Sequence, residues 1–142
     1  MDDPRVARIV ALFERLAPGD LAKLGEIYTD DARFKDPFNE VQGLAAIRHI
    51  FEHMFAALDG PRFFIHGSLV QGDQCFLRWD FRFRLRRFSR DEQTIRGATW
   101  LQLAPDGRIA LHRDYWDAAE ELYQKLPLLG GLMRWLRRQA NR

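Results

Sequence analysis

The chain reads as an α+β fold in which a curved antiparallel sheet wraps around N-terminal helices, with further helices at the C-terminus. Three observations predict this. Apolar residues recur at helical spacing up to Leu58, the period drops to two between Arg62 and Trp116, and helical spacing returns after Asp117. Helices packed on one face of a strongly curved sheet leave a concave pocket between the two layers.

Asp3-Pro4 opens the first helix, with an N-cap acceptor followed by proline at the first helical position. Val6, Ile9, Val10, Phe13 and Leu16 form its apolar stripe. Pro18-Gly19 ends it, and Asp20 caps a short second helix carrying Leu21, Leu24 and Ile27. An extended acidic segment follows from Tyr28. Near Gly43 a third helix begins and lines up Leu44, Ile47, Phe51, Met54, Phe55 and Leu58, until Asp59-Gly60-Pro61 stops it.

Four strands are then expected. Arg62 to Val70 is the first, with Gly72-Asp73 as its turn. From Gln74 to Phe88, Leu77, Trp79, Phe81, Phe83 and Leu85 take one face, while Arg78, Asp80, Arg82, Arg84 and Arg86 take the other. Such alternation marks a strand with one face on the core. Gln93 to Ala104 is the third, and Pro105-Asp106-Gly107 turns it into a fourth, Arg108 to Trp116. Asp117 with Glu120 reads as a capping box for a helix through Leu126, and Pro127 and Gly130-Gly131 separate it from a last amphipathic helix.

Size and composition narrow the function classes. At 142 residues, 46% hydrophobic and 30% charged, this is one globular domain with a sizeable core. No apolar run approaches the roughly 20 residues that span a bilayer. The acidic start, MDDPRVARIV, lacks the apolar core of a signal peptide, so the expected location is the cytoplasm. Cys75 is the single cysteine, which excludes an internal disulfide and a cysteine-based metal cluster. The net charge of +2 does not call for a nucleic-acid partner. The basic tail with Leu132, Met133, Trp135 and Leu136 is expected to pack on its own domain rather than on a membrane.

Asp36 is the carboxylate that sits in an aromatic frame, between Phe34 and Phe38. Desolvation by an apolar wall raises a carboxyl pKa and suits it to proton shuttling near neutrality. The bland reading is an Asp-Pro turn, in which Asp bonds its own backbone and Pro presets φ. A raised pKa is the expected mark of the first, a depressed one of the second. His49 and His53 stand i, i+4 on one helix, but no third ligand is evident and no metal site is expected.

The order of elements resembles the cone-shaped fold shared by nuclear transport factor 2, the SnoaL-like polyketide cyclases and the ketosteroid isomerases. Its anchors are Pro18-Gly19-Asp20-Leu21, Tyr28-Thr29-Asp30-Asp31-Ala32, Asp36-Pro37-Phe38, and Gly43 with Ala46-Ile47. The resemblance makes residues 1–117 the cone and 118–142 a helical extension of the same domain. In ketosteroid isomerases the Asp of the Asp-Pro step is the proton-shuttling base, which implies that role for Asp36. Leu12 then falls where the oxyanion-binding Tyr would stand, and Thr99 where the protonated acid would stand. Leu12 cannot donate, and Thr99 donates only as a neutral hydroxyl. The resemblance also points His112, Asp114 and Trp116 into the pocket, and Ile109, Leu111, Arg113 and Tyr115 outward. SnoaL-like cyclases similarly use an acidic residue on a late strand.

These features give the expectation of a cofactor-free acid/base enzyme acting on a small hydrophobic carbonyl compound, of the steroid Δ-isomerase or polyketide-cyclase type. Asp36 is the expected base. Asp114, His112 and Thr99 are the expected donors to the enolate, and Phe34, Phe38, Phe55, Trp79, Phe81, Leu101 and Trp116 the expected apolar lining. The alternatives are a non-catalytic ligand-binding or protein-binding dimer and, third, a hydratase or epoxide hydrolase. In this fold the outer sheet face often pairs subunits, so a homodimer through that face is expected.

Overall fold

The computed structural model describes residues 3–85 and 89–122. The expected last amphipathic helix, the helix end beyond Leu122, and positions 86–88 with Arg86 all lie outside the described residues. Within them the chain runs α1 (Pro4–Arg15), a 3₁₀ helix (Pro18–Glu26), β1 (Tyr28–Lys35), β2 (Glu40–Gln42), α2 (Leu44–Ala57), β3 (Leu58–Gln71), β4 (Gln74–Leu85), β5 (Ser89–Leu103), β6 (Ile109–Tyr115) and α3 (Ala118–Leu122).

Asp3 caps α1 by accepting from Arg5 N–H at 2.9 Å, and Val6, Ile9, Leu12 and Phe13 bury one stripe. The second helix begins three residues earlier than its Asp suggested. Pro18 is its first residue, and Asp20 reaches back to accept from Ala17 N–H at 3.0 Å. Asp-Gly-Pro does not end α2 with a loop either: β3 starts at Leu58, directly after the helix. Gly60 takes a left-handed φ of 58° inside the irregularity between Asp59 and Arg62, so the turn signal is spent on a bend within a strand.

Six strands form one sheet in the order β2-β1-β6-β5-β4-β3. The meander from β3 to β6 is antiparallel, as expected, but β1 pairs with β6 in parallel, which makes the sheet mixed. The expected all-antiparallel sheet is corrected here, because the first extended segment is a strand of the sheet and not a connecting loop. On β4, Cys75, Leu77, Trp79, Phe83 and Leu85 are buried, as the alternation required. On the opposite face the charges pair within the chain: Asp80 with His66 at 3.2 Å and with Arg82 at 3.6 Å. Leu69, Phe76 and Tyr115 are exposed. Among the described residues no helix is long and apolar enough to cross a membrane.

The last strand departs from simple alternation. Leu103 pairs with Ile109 but Gln102 pairs with Leu111, so Ala110 is an extra residue in β6. The bulge reverses the phase of the strand. Ile109, expected outward, is fully buried, and three positions on His112 is also buried. Two residues that strict alternation would place on opposite faces therefore share the interior.

Candidate active site

A cavity of about 150 Å³ opens between α1, α2 and the concave face of the sheet. Phe13 from α1, Phe51 and Met54 from α2, and Trp79, Phe81 and Phe83 from β4 supply most of its wall. Five polar positions interrupt the apolar lining: Asp36, Asn39, Thr99, His112 and Asp114. Of the residues expected from the sequence, Phe34, Phe38, Trp79, Phe81 and Trp116 line it as well. Phe55 and Leu101 do not. Leu101 is fully buried opposite His112 on the neighbouring strand, and Phe55 packs at the margin of the core.

The polar residues form one hydrogen-bonded chain. Trp79 Nε1 donates to Thr99 Oγ1 at 2.7 Å, and Thr99 Oγ1 donates to Asp114 Oδ1 at 2.6 Å. From the other side His112 Nε2 lies 2.7 Å from the same Asp114 oxygen, and Tyr28 Oη lies 2.6 Å from His112 Nδ1. The two ends decide which way the protons point. An indole N–H can only donate. Tyr28 is fully buried, and His112 is the one hydrogen-bond partner of its hydroxyl among the described residues, so the phenolic proton has nowhere else to go. Tyr28 therefore donates to Nδ1, His112 carries its proton on Nε2 and donates to Asp114, and Thr99 passes its own proton to Asp114. Both chains end on Oδ1. Oδ2 accepts no hydrogen bond among the described residues.

This geometry changes two expected roles. The single Thr99 proton is committed to Asp114, and both ring nitrogens of His112 are engaged by protein. Neither group keeps a free donor for an enolate. Tyr28, which the sequence offered only as an anchor of the fold, is the residue that orients His112. Burial, with the Asp114 charge adding to it, holds the Tyr28 phenol well above its ordinary value.

Asp36 follows the end of β1 and lines the same cavity. Its Oδ1 accepts from Phe38 N–H at 2.8 Å and Asn39 N–H at 2.6 Å, while the Asn39 amide lies 3.0 Å from each oxygen. That is an Asx turn. Burial nevertheless pushes its carboxyl above the usual carboxylate range; Asn39 opposes this and the Asp114 charge reinforces it. The turn and the raised carboxyl were expected to exclude one another, and they coexist. The turn fixes the carboxyl at the cavity rim, and the aromatic surroundings desolvate it there. Asp36 and Asp114 thus differ in how they are held: both Asp36 oxygens accept within its own turn, whereas Asp114 accepts only at Oδ1 among the described residues.

His49 and His53 stand with their Nε2 atoms 2.8 Å apart on the outer face of α2. Among the described residues no group of three or more His, Cys, Asp or Glu is placed to hold a metal.

The mixed sheet curled over α1 and α2, with an acid-lined apolar cavity between, defines the NTF2-like class of folds. Within that class the chain belongs to the SnoaL-like domain family, which matches residues 9–112. Solved structures agree on the fold. A Catenulispora acidiphila protein with a ketosteroid isomerase-like fold, solved in complex with trimethylamine, superposes with a TM-score of 0.74 at 18% identity, covering 90% of this chain and 97% of its own. An LEH-like epoxide hydrolase from M. tuberculosis gives 0.71 at 19% identity, covering 93% and 94%. An NTF2-like protein of unknown function from Burkholderia pseudomallei gives 0.74 at 13%, covering 89% and 100%. No curated protein matches the sequence.

Proposed function

We propose that the protein is an acid–base enzyme that moves a proton on a small apolar carbonyl compound, with Asp114 as the base and Asp36 as the acid. The observation that carries this reading is that two carboxyl groups line one aromatic cavity, one with both oxygens bound within its own turn and the other with Oδ2 accepting no hydrogen bond among the described residues. Thr99 and His112 converge on Asp114 Oδ1 and leave Oδ2 to take a proton. Asp36, with its carboxyl pushed upward by burial, is assigned the acid's part. Asp114 removes the proton α to the carbonyl, Asp36 hydrogen-bonds the enolate oxygen, and Asp114 returns the proton at the α or the γ carbon. Return at the γ carbon is isomerisation of a β,γ-unsaturated ketone; attack of the enolate on an internal electrophile is cyclisation. The assignment exchanges the roles that the family resemblance implied for these two acids.

Isomerisation of β,γ-cyclohexenone to its conjugated isomer, followed in the ultraviolet, tests the reading. Asp114→Asn is expected to lower the rate by about 10²–10⁴-fold. Asp36→Asn is expected to lose less, because an amide still donates to the enolate oxygen. A greater loss in Asp36→Asn than in Asp114→Asn would restore Asp36 as the base. Activity surviving both substitutions, or no activity above buffer in the wild type, would remove the carbonyl reading.

One observation favours a second reading, hydrolysis of an epoxide, the activity given for the M. tuberculosis structure. Asp36 and Asp114 also line an open groove outside the cavity, which gives water a path to both. Asp114 would then activate water and Asp36 protonate the epoxide oxygen. Formation of the diol from cyclohexene oxide distinguishes the two.

A further inference from the structure

The cavity holds two carboxyl groups and no cation to match them. Among the described residues neither a lysine nor an arginine lines it. Lys35 and Arg113, close by in sequence, alternate with the cavity-facing Phe34 and His112 on the paired strands β1 and β6, and so project from the opposite face of the sheet. His112 supplies no charge either: its Nδ1 accepts from Tyr28, and the ring keeps a single proton on Nε2. The remaining polar lining, Asn39 and Thr99, is neutral.

Carboxylates without a cationic partner in apolar surroundings are costly. Burial and the charge of Asp114 both push the Asp36 carboxyl upward, so the two acids stand within each other's field. A positive charge in the cavity favours the charged form of both. The wall determines what surrounds that charge. Aromatic rings from α1, α2, β1, β3 and β4 line it. Phe38 and Trp116, each two positions beyond one of the acids, meet at 65° with centroids 5.5 Å apart and form a corner beside them. The face of an aromatic ring attracts a cation, most strongly where water is excluded, and its carbon surface accepts alkyl groups.

Hydrogen bonding sets how many N–H groups such a cation carries. Both Asp36 oxygens accept within its own turn, and Asp114 Oδ1 accepts from Thr99 and His112. Oδ2 of Asp114 is the oxygen left without a donor among the described residues. One N–H is matched there, whereas further N–H groups would compete with the donors that already hold the other three oxygens.

We infer that the cavity binds a small tertiary ammonium ion, with its N–H on Asp114 Oδ2, its charge shared with Asp36, and its alkyl groups against the aromatic wall. A cavity of about 150 Å³ admits an ion of roughly the size of benzene, such as a single saturated ring. The inference goes beyond the proposed proton transfer and does not depend on it, because binding uses the charge of the acids and not their basicity. An ion that holds Asp36 in its charged form is an inhibitor of that reaction and not its substrate.

Calorimetric titration at pH 7.5 and constant ionic strength tests it without turnover. One probe is N-methylpyrrolidine, which is protonated at this pH. The second, N,N-dimethylpyrrolidinium, keeps the charge and lacks the N–H, and the third, cyclopentanone, is a neutral ring of similar size. The wild type is expected to bind the tertiary ion about tenfold more tightly than either of the others, the scale of one charge-assisted hydrogen bond. Asp114→Asn is expected to abolish that preference. Asp36→Asn keeps its turn, and is expected to weaken both ions several-fold and leave the ketone unchanged. Thermal unfolding verifies that each variant is folded; should Asp114→Asn fail to fold, the Asp36→Asn titration decides by itself. A ketone or quaternary ion bound as tightly as the tertiary ion, a preference that survives in Asp114→Asn, ion affinities unchanged in Asp36→Asn, or no binding of the tertiary ion would overturn the inference. Tighter binding of cyclopentanone, with proton exchange at its α carbons in deuterated water, would remove the ion and leave the proton-transfer reading standing.

Discussion

Tyr28 Oη lies 2.6 Å from His112 Nδ1; both residues are buried, His112 in the cavity wall and Tyr28 behind it. The tyrosine does not line the cavity, yet it determines which ring nitrogen of His112 carries a proton and hence what reaches Asp114.

Tyr28→Phe removes that donor and leaves Nδ1 without a partner. The expected cost is about 1–3 kcal/mol in denaturant unfolding. The rate is expected to fall with little change in KM, because Tyr28 touches no ligand. Nitrogen chemical shifts of His112 supply the readout that packing alone would not move: protonation confined to Nε2 in the wild type and mixed between the two nitrogens in the variant. An unchanged tautomer would remove Tyr28 from the positioning of Asp114.

Asp36→Asn separates stability from activity. A carboxyl raised in the folded state holds its proton more tightly there than in the unfolded chain. Its stabilising contribution is complete below the ordinary value of 3.8 and is lost as pH rises through the higher folded value. Asparagine keeps an oxygen for the Phe38 and Asn39 amides and carries no charge. The variant is therefore expected to be more stable than wild type at pH 7.5, with the difference vanishing near pH 3. Thermal unfolding at the two pH values checks this; a variant that is less stable at neutral pH would show that the turn needs the charged acceptor.

Gly97 pairs with Trp79 across β4 and β5, and a Cβ there would come 2.5 Å from Trp79 Cη2. Glycine is required at this point because the indole lies across its backbone. Gly97→Ala is expected to cost about 1–3 kcal/mol and to displace the ring that donates to Thr99. Indole fluorescence shifted to longer wavelength, with a weakened proton-transfer rate, is the expected result.

Cys75 is fully buried, and burial pushes its thiol up to about 11. Native protein is expected to resist alkylation by iodoacetamide at pH 8 and to react once unfolded. Rapid reaction of the native protein would show that β4 opens locally.

Much of this molecule was legible in the sequence because the signals are local. Helical stripes, the two-residue period of Leu77 to Leu85, and the turns at Gly72 and Gly107 depend on neighbours within one element. The aromatic frame of Asp36 is likewise a feature of five consecutive residues. Its double character was not legible, since accepting from its own turn and losing water to Phe38 and Trp116 depend on different parts of the chain.

What the sequence by itself determined was the order of the helices and of the four-stranded meander, the inward face of β4, and an acid framed by aromatic residues. The tertiary structure decided which residues meet. The extra residue at Ala110 exists only in the pairing of β6 with β5, and it brings Ile109 and His112 to the same side against the local period. Tyr28 and His112 are 84 positions apart, on strands that become neighbours only through the parallel pairing of β1 with β6. Periodicity is a property of one strand, whereas register and hydrogen-bond direction belong to pairs of strands, and the candidate site was built from the pairs.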